Sequence, residues 1–171
     1  MNDIYLHPTS EKDFEDYYAV RSDPGDVYWN GYSKAPEKES FRKGFLLRTA
    51  SARFDKPEDR RNYLIKNSSN NITVGFVQFI RKEDSVEIGY SVLTEFHGCG
   101  FATEALKIGI ERAKSFGLPI IVNIRDDNVA SQKVAIKNGF IMTEEYIEKE
   151  YYKAGKVKLR KYVLSSEEHY D

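Results

Sequence analysis

His97-Gly98-Cys99-Gly100-Phe101-Ala102-Thr103-Glu104-Ala105 places two glycines around one side chain, after an apolar run and before an amphipathic one. Glycines in such a turn adopt conformations that let neighbouring N–H groups point at one spot. A helix starting there adds the partial positive charge of its dipole. A phosphate or pyrophosphate suits that junction and would be held mainly by main chain. The first expectation is therefore an anionic, phosphate-bearing ligand.

Other residues with chemistry surround this turn. In Val86 to Leu93, the residues Glu87, Gly89, Ser91 and Leu93 alternate with Val86, Ile88, Tyr90 and Val92. An acid, a glycine and a hydroxyl on one face of a strand fit a cleft better than a core. Asn128 can cap a helix, and Ser131 falls in its first turn, where a serine often does no more than satisfy backbone donors. Glu144, Glu148 and Glu150 share parity with Tyr146 and Tyr152. They form either a surface that attracts a cationic amine or simply a solvated face. Cys99 sits where a helix N-terminus can lower a thiol pKa, but no His–Asp arrangement accompanies it. His7, His97 and His169 lack metal-ligand spacing with one another or with Cys99, so no metal is expected.

These residues need elements to hold them. Residues 85–140 read as strand, glycine turn, helix, strand and helix. Ala102, Ala105, Leu106, Gly109, Ala113 and Phe116 recur at helical spacing between Gly100 and Phe116, with Gly117 as a stop. Ile120 to Ile124 is a continuous apolar run, as in an interior strand. A helix follows from Asn128 to about Asn138. Upstream, Ile4 to His7 is a strand, and Thr9 or Ser10 caps a helix from Glu11 that turns Phe14, Tyr17, Tyr18 and Val20 inward. Asp23-Pro24-Gly25-Asp26 reads as its end and a turn. Pro36 opens a helix to about Ala50. Arg61 to Lys66 is a strand, and Ile72 to Arg81 and Val86 to Leu93 form a hairpin. Phe140 to Tyr151 and Val157 to Leu164 form another, before a polar tail, Ser165 to Asp171. Tyr28, Trp29 and Tyr32 either pack under a loop or line a substrate pocket. The order describes a mixed α/β or α+β sheet.

The chain of 171 residues is long enough for one domain, 1–171, with a ligand-binding core at about 85–140. A formal net charge of -1 gives no footprint for nucleic acid. The lone Cys99 cannot form an intrachain disulfide and fits a reducing compartment. The first residues lack a basic region followed by an apolar one, and no apolar run approaches the ~20 residues that span a membrane. The expectation is a cytoplasmic protein without membrane or nucleic-acid partners.

The centre of the chain resembles the GNAT superfamily of acetyl-CoA-dependent N-acetyltransferases. Their pyrophosphate pattern, Q/R-x-x-G-x-G/A, is matched by His97 to Ala102 except for His at the first position. Asn128, Ser131, Lys137, Gly139 and Phe140 match a second family segment, and Glu87-Ile88-Gly89-Tyr90 is similar to the family's central strand. LHPTSEKDF, VAIKNGF and Glu150-Tyr151 resemble the subfamily that acetylates ribosomal-protein N-termini. The resemblance implies a mixed, mostly antiparallel sheet of about six or seven strands, with helices on both faces and a splayed central strand. It implies acetyl transfer from acetyl-CoA directly to a primary amine, with no metal. Coenzyme contacts would come from Ser91, Val92, Leu93, His97, Gly98, Gly100, Phe101, Ala102, Thr103, Asn128 and Ser131. N–H groups near Val92 and Leu93 would face the oxyanion.

Many members protonate the leaving thiolate with a tyrosine seven residues after the motif asparagine. Ala135 stands there, which leaves Ser131 as the replacement. Glu87 and Glu150 compete as general base. The missing tyrosine keeps a second reading open, a non-catalytic acyl-CoA-binding sensor. A P-loop is excluded because no G-x-x-x-x-G-K-[ST] occurs. Acceptor specificity would reside in residues 27–61 and the final hairpin, whose exposed edge offers pairing for a homodimer.

Overall fold

Among the described residues, seven strands and five helices follow one another as β1 (Ile4–Pro8), α1 (Phe14–Arg21), α2 (Pro24–Trp29), α3 (Lys38–Ser51), β2 (Arg60–Asn67), β3 (Thr73–Arg81), β4 (Val86–Val92), α4 (Phe101–Ala113), β5 (Ile120–Arg125), α5 (Val129–Lys137), β6 (Phe140–Tyr151) and β7 (Gly155–Leu164). The computed structural model describes residues 3–51 and 53–166, Ser51 by its backbone alone. The strands form one sheet in the order β1-β2-β3-β4-β5-β7-β6. Neighbours are antiparallel except β4 and β5, which α4 connects as a parallel pair. That pairing holds at Val86–Ile120 and Glu87–Ile121 and goes no further. Beyond Glu87 the central strands part, as expected of a splayed strand.

Each face of the sheet has its own core. On one, Val86, Ile88 and Val92 of β4 join Val77 and Phe79 of β3 and Val122 and Ile124 of β5 beneath Phe101, Ala105, Leu106 and Ile110 of α4. On the other, Phe14, Tyr17 and Val20 of α1 and Phe45 of α3 pack on Leu64 and Phe76. Glu87, Gly89 and Ser91 face this second side and stay half-buried. The alternation read from sequence is therefore the alternation observed.

Two details differ from the sequence reading, and a third decides between its alternatives. Asp23-Pro24-Gly25-Asp26 does not merely end α1; it starts α2. The Asp23 carboxylate accepts the Gly25 N–H at 2.9 Å, and Pro24 takes the first helical position, where a missing N–H costs nothing. The helix expected to reach Phe116 tightens into a 3-10 turn at Lys114–Phe116 before Gly117. The acidic parity of β6 is not an isolated field. A bulge interrupts it between Met142 and Tyr146, and β7 supplies cations. Lys156 lies 3.6 Å from Glu148, and Lys158 and Arg160 lie over the Tyr146 ring at 4.6 and 5.3 Å. The solvated-face reading accounts for it. β6 is an edge strand with Ile141, Met142, Tyr146 and Ile147 exposed. Most of the expected polar tail, including His169, lies outside the described residues. Among those described, no helix is long and apolar enough to cross a membrane.

Candidate active site

Backbone directions in β4 decide what the splay presents. Val86 donates its N–H toward β5, to Pro119 O at 2.9 Å. Leu93 donates its N–H toward β3, to Val74 O at 2.9 Å. Alternation therefore turns the peptide groups of Tyr90 and Val92 into the opening. Of the two expected oxyanion donors, Leu93 is engaged in the sheet and Val92 faces the gap. The His97 ring closes back on this point: its Nε2 is 2.8 Å from Val92 O, and a carbonyl can only accept, so Nε2 carries the proton.

The glycine turn follows. Gly98 and Gly100 have φ of 76° and 83°. A Cβ at Gly98 would meet nothing within 4 Å, so the left-handed backbone, not crowding, calls for glycine there. No side chain caps α4, and the first bond back to Gly100 O comes from Glu104 N–H at 3.2 Å. The N–H groups of Phe101, Ala102 and Thr103 lead the helix without intrahelical acceptors, the condition that favours an anion. Cys99 is exposed beside them.

Across the splay, Asn128 Oδ1 accepts the Ser131 N–H at 3.1 Å and caps α5. The Tyr90 hydroxyl donates to Ser131 O at 3.3 Å, tying β4 to α5. Burial pushes that phenol up to about 12, so it stays a neutral donor. The sequence placed Tyr90 on the core face but gave its hydroxyl no task. Ala135 is fully buried.

The opposite face of β4 carries Glu87, Gly89 and Ser91, all half-buried. A Cβ at Gly89 would meet nothing within 4 Å. At one end Glu87 pairs with Lys82 at 3.4 Å, and Lys82 also reaches Glu58 at 2.9 Å. At the other end Ser91 stands beside Asp26 of α2, a residue the sequence reading passed over. The Asp26 side chain has 0% exposure, and its Oδ1 accepts from Arg21 Nη1 at 3.3 Å and Asn30 Nδ2 at 3.2 Å. Burial raises its carboxyl above the ordinary value, against the pull of Arg21 and the Ser91 hydroxyl. A buried acid three residues after the α2 cap was the available signal.

Two contacts hold α2 in place. Asp23 accepts the Thr94 hydroxyl at 2.6 Å and the Thr94 N–H at 3.2 Å, joining α2 to the turn between β4 and the glycines. Burial alone would raise the Asp23 carboxyl; bonds from Thr94 and Gly25 bring it below the ordinary value. The other contact is Arg125, at the end of β5. Its side chain is 2% exposed and grips Asp127 through two bonds, at 2.9 and 2.7 Å. The rings of Tyr28, Trp29 and Tyr151 lie over it at 5.1, 4.7 and 5.5 Å. Gly31, with φ of 77°, lies so close to Tyr151 that a Cβ would sit 2.3 Å from the ring. Tyr28 and Trp29 thus pack at the end of the splay, while Tyr28 and Tyr32 keep exposed faces. Burial raises the Tyr151 phenol above its ordinary value, with the Glu87 charge a lesser contribution. Glu150 is exposed at the end of the β6–β7 hairpin, opposite Lys156. Strand alternation turns it away from the Tyr151–Arg125 packing. Among the described residues, no three His, Cys, Asp or Glu side chains gather as a metal site would require.

A splayed parallel pair with a glycine turn at its mouth defines a class of acyl-transferring proteins, and the comparisons agree. The sequence profile described as acetyltransferase (GNAT) domain matches residues 3–141, and the chain belongs to this family of acyltransferases. A GNAT-family acetyltransferase from Bacillus anthracis superposes with a TM-score of 0.74 at 22% identity, covering 94% of this chain and 93% of that one. Spermidine N-acetyltransferase from Vibrio cholerae, in complex with CoA and spermine, gives 0.76 at 13% identity, covering 94% and 95%. A Vibrio cholerae protein assigned as a ribosomal-protein-serine acetyltransferase gives 0.71 at 17% identity, covering 96% and 94%. At these identities the likeness is one of fold. No curated protein sequence matches the chain.

Proposed function

We propose that this protein transfers an acetyl group from acetyl-CoA directly to a primary amine. The observation that carries the reading is the parting of β4 and β5 after Glu87, with an uncapped glycine turn on one side and the half-buried polar face of Glu87, Gly89 and Ser91 on the other. The neighbour solved with CoA and spermine supports an acyl-CoA donor and an amine acceptor.

The roles follow from position. Main-chain N–H groups from Gly98 to Thr103 receive the pyrophosphate. His97 holds the Val92 peptide group, and the Val92 N–H stabilises the developing oxyanion. The Ser131 hydroxyl, beside the Asn128 cap, offers a proton to the departing thiolate. The amine must arrive neutral, because an alkylammonium has no lone pair. Glu87, at the vertex of the splay, and Glu150, on the hairpin, are the carboxylates the family resemblance brings to that task. The Tyr28, Tyr32 and Tyr151 rings supply the acceptor side with aromatic surface. A single domain, a cytoplasmic location and a dimer paired along the β6 edge belong to the same reading.

A second reading, a non-catalytic acyl-CoA sensor, draws on Ala135, whose buried methyl replaces the family's hydroxyl. Calorimetric titration with acetyl-CoA, using desulfo-CoA and ATP as controls, followed by a coenzyme-release assay on an amine panel, separates the two. Saturable binding with turnover supports transfer, and binding without turnover on any amine supports the sensor. A folded sample that binds no acetyl-CoA would refute both.

A further inference from the structure

A cavity lies apart from the site described above. It opens on the α4 face of the sheet, with a volume of about 350 Å³, among Arg61 and Tyr63 of β2, Phe79 of β3, Arg112 of α4 and Phe116. The glycine turn is at the other end of α4, whose 13 residues span about 20 Å. The rings form one wall, with centroids 5.4 Å apart for Tyr63 and Phe79 and 6.0 Å apart for Phe79 and Phe116. Both guanidinium groups rest on aromatic faces. Arg61 lies over Phe54 at 5.4 Å and over Phe116 at 5.6 Å. Arg112 lies over Tyr63 at 4.9 Å and donates through Nη2 to Leu6 O at 2.9 Å. Among the described residues, no carboxylate or carbonyl accepts from the Arg61 guanidinium. The acid in the lining, Glu111, is held by Lys114 at 2.7 Å instead. The carbonyl end of α4 disfavours an anion, and the Ser115 hydroxyl blunts it by donating to Arg112 O at 2.8 Å. Two cations fixed on rings therefore border this space without a carboxylate of their own.

We propose that this cavity binds a small aromatic acid, its ring laid against the Tyr63–Phe116 wall and its anionic head between Arg61 and Arg112. The volume falls at the lower end of small-molecule sites, about 300–1,000 Å³, and a bare inorganic ion would leave the rings unused. A planar guanidinium presents paired N–H donors that match a carboxylate or a phosphate ester. The ring contacts already restrain both arginines, so less side-chain freedom is lost when a ligand arrives. Neutral and cationic molecules of the same shape lack the acceptor oxygens that these donors need. The site is separate from the glycine turn, and its occupancy does not depend on the acetyl-transfer reading.

The test is an NMR titration of the nitrogen-15-labelled full chain with benzoate, phenyl phosphate, benzamide and inorganic phosphate. Benzoate or phenyl phosphate should shift the amide signals of Tyr63, Arg112 and Phe116 saturably, and the tighter of the two identifies the head group. Benzamide, the neutral counterpart of benzoate, should leave them in place. Arg61→Gln should weaken binding of the acid roughly 10- to 100-fold, the scale of a lost charge-assisted hydrogen bond. Arg61→Lys, which keeps the charge, should lose less. Circular dichroism should show both variants folded, since Arg61 touches only the Phe54 and Phe116 rings. No shift with either acid would overturn the proposal. So would shifts with benzamide as large as with benzoate, because the arginines would then be idle. Inorganic phosphate binding as tightly as the aromatic acids would show an anion site without use for the rings and would overturn the ligand class. Shifts confined to Gly98 and Gly100 would place the acid at the glycine turn and overturn the assignment, as would Arg61→Gln binding at the wild-type affinity.

Discussion

Replacing Asp23 with alanine should loosen the protein where α2 meets the turn between β4 and the glycines. The carboxylate accepts three hydrogen bonds, from Gly25 N–H at 2.9 Å, Thr94 N–H at 3.2 Å and the Thr94 hydroxyl at 2.6 Å. Loss of a helix cap costs about 0.5–2 kcal/mol. Hydrogen bonds to a charged group contribute about 1.5–3 kcal/mol each when buried. Asp23 is half-buried, so water recovers much of that, and a net loss of about 2 kcal/mol is expected. For a chain of this size that is a fall in Tm of about 4–8 °C. The pH dependence has a definite sign. The folded carboxyl lies below its ordinary value, so its stabilisation is present above that value and disappears as pH falls through the folded one. Wild type and Asp23→Ala should differ most at pH 7, and the gap should narrow as pH falls below about 4. Asp23→Asn, which keeps an acceptor without the charge, should fall between them. Thermal unfolding followed by circular dichroism at several pH values is the assay. The reasoning fails if Asp23→Ala lies within about 0.5 kcal/mol of wild type at pH 7, the margin of an ordinary surface change. It also fails if the gap widens in acid.

Three more variants probe other parts of the site. Gly100→Glu adds bulk and negative charge to a backbone with φ of 83°, and should abolish acetyl-CoA binding by calorimetry while leaving a folded circular-dichroism spectrum. Arg125→Lys cannot reproduce the two-bond grip on Asp127 or stack as a plane under Tyr28 and Trp29. It should cost about 1–3 kcal/mol in denaturant unfolding, the scale of charged hydrogen bonds and desolvated cation–π contacts, and should raise KM for the amine more than for acetyl-CoA. Ala135→Tyr would restore the family's hydroxyl but must force a phenol into a fully buried methyl site. Overpacking of about 1–3 kcal/mol should appear in the melting curve, and a stability equal to wild type would show that α5 yields there.

The half of the proposed site around the glycine turn was legible in the sequence because one continuous stretch builds it. Period-two alternation in β4, the glycine turn, the α4 stripe and the Asn128 cap all lie within residues 86–137 and obey local rules of strand, turn and helix. The half built around α2 obeys no such local rule. Asp23 meets Thr94 across a separation of 71 residues, and Arg125 meets Tyr28 across 97. Asp26 looked like a turn acid because Pro-Gly usually breaks a helix, yet proline is also suited to a helix start, and only the distant Ser91 shows what lies beside that acid. Tyr28 and Trp29 were ambiguous for the same reason: their packing depends on Arg125, which the sequence marks only as a charge after an apolar strand. This division bears on specificity. The proposed acceptor side draws on α2, the residues after it and the β6–β7 hairpin, none of which contributes to the glycine turn or the α5 cap. On the proposed reading, changes there alter which amine is received while residues 86–137 keep the same donor chemistry. Asp23–Thr94 is where such changes would be transmitted, because that bond fixes α2 against the segment leading into the glycine turn.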